Sequence, residues 1–146
     1  MSPLKKVVYS RHHITTEAAE SAGKIALQLA EEMGIMISVA VVDNSGHLLH
    51  FTRHDRAQFL TIDIAINKAW TASSFSLSSQ TWNDAVQHPS LTPLTQTPRF
   101  TPVAGGYPLF HHGELIGAIG ISGGSTLQDH SVAERTTQTL GFYQST

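Results

Sequence analysis

The chain has 146 residues, no cysteine and a formal net charge of −2, which excludes a disulfide framework, thiolate catalysis and thiolate-ligated zinc or iron–sulfur sites. Its basic residues form no block longer than Lys5-Lys6, so the electrostatic footprint of a nucleic-acid binder is missing, and the apolar run at 35–42 is far too short to span a membrane. Only 14% of the residues are charged, against about 25% in an ordinary soluble domain; that surface suits a homo-oligomer, and without an N-terminal apolar signal region its expected location is the cytoplasm.

In chain order, the first predicted helix covers 15–33. Ala18, Ala22, Ile25, Ala26, Leu29 and Met33 recur at steps of three and four, Thr15 stands where a cap is needed, and Gly34 follows where a left-handed stop is usual. The Val- and Ile-rich run "IMISVAVVD" then reads as a strand buried on both faces. Asn44, Ser45 and Gly46 supply a turn, and a second strand from His47 to Arg53 completes a hairpin in which His47, Leu49 and Phe51 are expected on one face.

Helical spacing returns over 58–75, with Phe59, Ile62, Ile66, Ala69, Trp70 and Ser73 along one side. From Ser76 to Pro102 the chain is rich in Pro, Ser and Thr. A short helix near "SQTWNDAV" and then an irregular loop are expected, and a loop of that length in a compact domain is functional or an oligomer contact. A second hairpin follows from 103 to 122 with its turn at His112-Gly113 or Gly113-Glu114. The last helix starts within "STLQD", where Ser125 and Gln128 have capping-box spacing, and runs to about Phe142. Together these elements predict one α+β domain over 1–146, an antiparallel sheet covered by helices.

Two stretches carry candidate chemistry. At Ser122, Gly123, Gly124 and Ser125 a strand hands over to a capped helix, and the free backbone N–H groups and helix dipole expected there suit a carboxylate or phosphate. Neither the dinucleotide fingerprint nor the P-loop is present. Nine histidines are the other resource. His47 and His50 point to opposite faces of a strand and His54 lies past its end, so those three do not converge on one ion. His12 and His13 precede the Thr15 cap on an arm, where a single imidazole is enough for a haem iron.

The motifs "VAVVDNSGHLLHFTRHDRA", "TIDIAINKAWTASSF", "GGYPLFHHGELIGAIGISGGSTLQD" and "VAE", in this order over residues 15–140, resemble the GlcG/HbpS-like family, which also includes the C-terminal domain of PduO-type corrinoid adenosyltransferases. The resemblance implies a profilin-like α/β/α sandwich with a sheet of about five strands, oligomeric assembly, and haem or another tetrapyrrole as a small-molecule ligand in sensing, storage or cobalamin-linked metabolism. It also implies a haem-ligating histidine near the N-terminus, for which His12 or His13 is the match. In that picture Ser122 to Ser125 receive a haem propionate with help from Lys68. The alternative is an enzyme, or an enzyme accessory, for a small carboxylate metabolite, with Asp43, His54, Asp55 or Asp129 available for proton transfer.

Overall fold

The computed structural model describes residues 3–143. Helix α1 (Thr16–Glu32) leads into strands β1 (Ser38–Asp43) and β2 (Leu48–Arg53), then α2 (Leu60–Phe75) and the short α3 (Ser79–Ala85). One turn of 3₁₀ helix at Thr92–Gln96 precedes β3 (Gly106–His111), β4 (Glu114–Ser122) and α4 (Thr126–Leu140). Among the described residues the sheet has four strands in the order β2-β1-β4-β3, every neighbouring pair antiparallel.

The sheet has four strands where about five were expected, and the N-terminal arm runs beside it. Beyond Asp43, β1 turns away from β4, whose pairing with it ends at Gly117. The arm moves into the place left open: Ile14 N–H donates to the Ile116 carbonyl at 2.9 Å, and Asn44 Nδ2 donates to the His12 carbonyl at 2.7 Å. One backbone bond ties the arm to the sheet without making it a strand.

Helices α1 and α4 cover one face of the sheet, where Ala19, Ala22, Ala26 and Ala30 meet Val39, Val41, Ile119 and Ile121. On the other face α2 sets Ala65, Ala69 and Ala72 against Ala40, Val42 and Ala118. The α2 stripe predicted from spacing is therefore rotated. Phe59 is exposed, and the buried side is made of Thr61, Ala65, Lys68, Ala69 and Ala72. Close approach of backbones is the reason. A methyl group at Gly120 would overlap the Ala65 carbonyl, and one at Gly106 the Lys68 carbonyl, so α2 lies directly on the strands and only small groups fit between.

The predicted facing of β2 also changes. The β1–β2 register shifts between Val41 and Val42, so Val41 faces His50 while Val42 faces Leu48. This bulge breaks the alternation. Leu49 packs with the α1/α4 core, Phe51 with the α2 core, and His50 stands against Gly23 of α1. The second hairpin turns on His112 and Gly113, at φ 50° and 75°, the double left-handed pair that matches strand twist.

Candidate functional site

Antiparallel pairing sorts the candidate residues to the two ends of the sheet. The turn end holds the β1–β2 and β3–β4 turns and, with the arm laid across it, gathers His12, His13, Asp43, His47, His111, His112 and Glu114. The far end holds the start of β1 and the end of β4, with Arg56, Gln58 and the Ser122–Ser125 turn. Nine residues of β4 separate the two ends, about 27 Å at roughly 3.4 Å per residue. The expected partnership of His12 or His13 with Ser122–Ser125 on one ligand is thus not formed within a single chain, because the distance exceeds the span of a porphyrin.

At the turn end Glu114, the first residue of β4, grips His12 twice. Its Oε1 accepts the His12 backbone N–H at 3.0 Å, and its Oε2 lies 2.8 Å from His12 Nδ1. The hydrogen bonds from His12 hold the Glu114 carboxyl below its ordinary range. With Nδ1 engaged, Nε2 is the nitrogen left to take a ligand, and a carboxylate on the other ring nitrogen is the usual support of a metal-binding imidazole. The His12 side chain is 77% exposed, and with His111, His112, Glu114 and Ile116 it lines a hollow of about 330 Å³. His13 is placed differently. Its Nδ1 is 3.8 Å from Asp43 Oδ2, an oxygen that also lies 3.5 Å from His47 Nδ1. Burial pulls the Asp43 carboxyl up, but the backbone N–H groups of His47 and Ser45 and the nearby imidazoles outweigh it and leave the group below its ordinary value. Among the described residues no group of three His, Asp or Glu side chains converges to hold a metal ion.

At the far end, the amides expected to be open are largely satisfied by the protein. Gly124 N–H donates to Asp129 Oδ1 at 2.8 Å, Ser125 N–H to Gln128 Oε1 at 2.9 Å, and Gln128 N–H to Ser125 Oγ at 3.2 Å. The predicted capping box is what consumes one of them. Ser122 is buried in β4, paired with Ser38.

Lys68 is not beside the turn to greet a ligand but beneath it, 2% exposed. Its Nζ donates to the Ile121 carbonyl at 2.9 Å and to Asp129 Oδ2 at 3.1 Å. This lysine starts on α2, on one face of the sheet, and ends on α4, on the other. Gly105, at φ 129°, leaves room for its passage, since a methyl group there would meet Nζ. Burial pushes the Lys68 ammonium down and the Asp129 carboxyl up, with their mutual attraction opposing both. Asp129, expected as a proton-transfer group, is thus buried beneath the turn in an ion pair with Lys68. His54 Nδ1 accepts Arg56 N–H at 3.0 Å, Asp55 is exposed beside it, and Asp43 lies at the opposite end, so the proposed acid–base set is divided.

A hollow of about 340 Å³ does open next to the turn, lined by Arg56, Gln58, Thr61, Gly124, Ser125 and Gln128 among others. Arg56, Glu114 and Asn44 were not legible as site residues in the sequence. Glu114 is 102 positions from His12, and no local pattern announces such a pair.

A family model described as "Haem degrading protein HbpS-like" matches residues 14–138. An uncharacterised 15.0 kDa protein from the dhaT–dhaS intergenic region of Citrobacter freundii is 35% identical over 124 residues, covering 83% of this chain and 87% of that protein. The crystal structure of the Klebsiella pneumoniae protein ORFY superposes with a TM-score of 0.90 at 31% identity, covering 97% of this chain and all of that one. A crystal structure of a PduOC–haem complex gives a TM-score of 0.84 at 26% identity over 92% of this chain and 99% of that chain.

Proposed function

The chain belongs to the HbpS-like family, and from that premise we propose that it is a small, non-catalytic haem-binding protein that works as an oligomer. The observation that carries this reading is the His12–Glu114 pair at the mouth of the turn-end hollow. When bound, haem would supply an iron able to take a protein nitrogen as ligand. His12 Nε2 is the nitrogen presented to it, and Glu114 fixes which ring nitrogen that is. Ile116, His111 and His112, which line the hollow, would be the residues beside the macrocycle. Arg11, close enough for its charge to be felt by Glu114, is the cation for a propionate in place of Lys68 and the Ser122–Ser125 turn. The hollow encloses only part of a porphyrin, and a second subunit is the natural cover for the rest. Large apolar side chains that are exposed in the single chain, including Val7, Val8, Tyr9, Phe59, Leu60 and Leu127, support such assembly.

Titration of the protein with haemin tests this. A sharpened Soret band is expected, lost in His12→Ala, retained in His13→Ala, and with affinity lowered about 10- to 100-fold in Glu114→Gln, the usual penalty for removing a ligand's supporting carboxylate. A free-haemin spectrum throughout, or a band that follows His13 in place of His12, would overturn it. Native mass spectrometry should give a multiple of 15.8 kDa.

A second reading, binding of a small carboxylate at the far end, is favoured by one observation: Arg56 and Gln58 border the hollow beside the Ser122–Ser125 turn. Titration with glycolate, followed by NMR, should then shift the Arg56 and Ser125 amide signals, and Arg56→Ala should abolish the shift.

A further inference from the structure

Building on the assembly proposed above, and independently of haem, we propose that the N-terminal arm is an exchanged strand: residues 4–9 of one copy pair with the open edge of β2 in a second copy, and reciprocally. The arm carries Leu4, Val7, Val8 and Tyr9, each between 72% and 83% exposed. Its β-branched and aromatic run favours a strand over a disordered tail. Among the described residues, no hydrogen bond joins 3–11 to the rest of the chain; the first ones come from His12 and Ile14. Strand-forming residues are thus held out from the body with neither their backbone nor their apolar side chains used.

Of the two edges of the sheet, only one is open. On β3, Pro108 has no N–H to offer, and Phe110 N–H is spent on the Phe142 carbonyl at 3.0 Å. β2 has neither obstacle. His54 N–H donates to the Ile37 carbonyl at 2.9 Å, and because antiparallel pairing alternates, the backbone groups of Phe51 and Arg53 turn outward. Among the described residues β2 pairs with β1 alone, and an unpaired edge of this kind is a template for another strand. β2 has six residues, and residues 4–9 of the arm match that length, about 20 Å at roughly 3.4 Å per residue.

Charge selects the partner. No acidic residue precedes Glu17, so the arm is purely basic, with Lys5, Lys6 and Arg11. Helix α1, which lies beside β2 with Gly23 against His50, carries Glu17, Glu20, Glu31 and Glu32 against the single Lys24. Glu20 stands about one turn before Gly23, with its side chain 54% exposed. In a strand Lys5 and Lys6 point to opposite faces, so whichever face of the arm meets α1 presents a lysine to it. Every residue from 3 to 13 is exposed in the single chain, and the glutamates available to the arm are therefore those of a second copy.

Equal amounts of unlabelled and isotope-labelled protein, mixed, treated with a zero-length carbodiimide and read by peptide mass spectrometry, test this. Mixed-label cross-links from Lys5 or Lys6 to Glu17 or Glu20 are expected. Val8→Asp should weaken self-association about 10- to 100-fold in sedimentation equilibrium, the loss of one buried valine, with the circular dichroism spectrum unchanged. The double variant Lys5→Glu with Lys6→Glu, and separately Glu20→Lys, should each self-associate more weakly than the parent, while a mixture of the two should form the mixed species preferentially. Arm cross-links confined to one label or directed to β3, no preference in that mixture, or an oligomer unchanged by Val8→Asp would each overturn the exchange while leaving the assembly standing. A parent chain that stays monomeric would remove the assembly itself, and the haemin titration of His12→Ala decides the haem reading separately.

Discussion

The two ends of the sheet use similar residues to opposite effect. At the far end a lysine and an aspartate are buried against each other, and backbone donors of the kind that make helix N-termini attractive to anions are spent on Asp129, Gln128 and Ser125. At the turn end a carboxylate and an imidazole meet at the surface, with one ring nitrogen held and the other left over. A group's chemical availability thus depends on which of its bonds the fold has already made, more than on its type.

The sharpest way to break that contrast is to remove one partner of the buried pair. Lys68→Ala or Asp129→Ala should lower stability by about 3–5 kcal/mol, since each leaves an uncompensated buried charge. The double replacement Lys68→Met with Asp129→Leu should recover much of that loss, and urea denaturation of the three variants would show it. Haemin binding in any variant that folds should be unaffected.

Glycine substitutions give a smaller, paired comparison. Gly123→Ala at the far end adds a methyl group against the Met36 carbonyl at φ 141° and should cost more than Gly113→Ala at the turn end. There the φ is 75° with open space around it, and only the left-handed backbone penalty of about 1–2 kcal/mol applies. Equal losses in thermal denaturation would mean that the far end is less tightly packed than described.

A still smaller effect concerns acid. Glu114 and Asp43 both titrate below their ordinary values of 4.5 and 3.8. The stability they contribute is therefore complete above those values and fades as pH falls through the lowered ones. Carboxyl-carbon NMR should show Glu114 moving back toward its ordinary value in His12→Ala. The smallest effect is that of His12→Ala on folding itself: with the imidazole mostly exposed, the urea midpoint should not move measurably, although haem binding is lost.

Much of the secondary structure was legible because it is set by local rules. The Thr15 and Ser125 caps, the Gly34 stop and the His112-Gly113 turn each depend on neighbours within a few residues, and each stands where sequence spacing puts it. Helical faces were read less well. Periodicity favours the largest apolar side chains for the buried side, whereas glycines on β3 and β4 bring α2 so close that alanine, threonine and the thin stem of Lys68 are buried instead. The β2 bulge defeated alternation in the same way, since a register shift belongs to the pairing of two strands and not to either sequence.

For the site, the sequence by itself determined that histidines would stand on the N-terminal arm and that a capped helix would follow a small-residue turn, because both are contiguous patterns. Only the tertiary structure decided that these lie at opposite ends of one strand, that Glu114 serves His12, and that Lys68 crosses the sheet to Asp129. Such pairings join residues some 50 to 100 positions apart. They come about through strand order and helix placement, long-range consequences of burying apolar surface that no short window of residues contains.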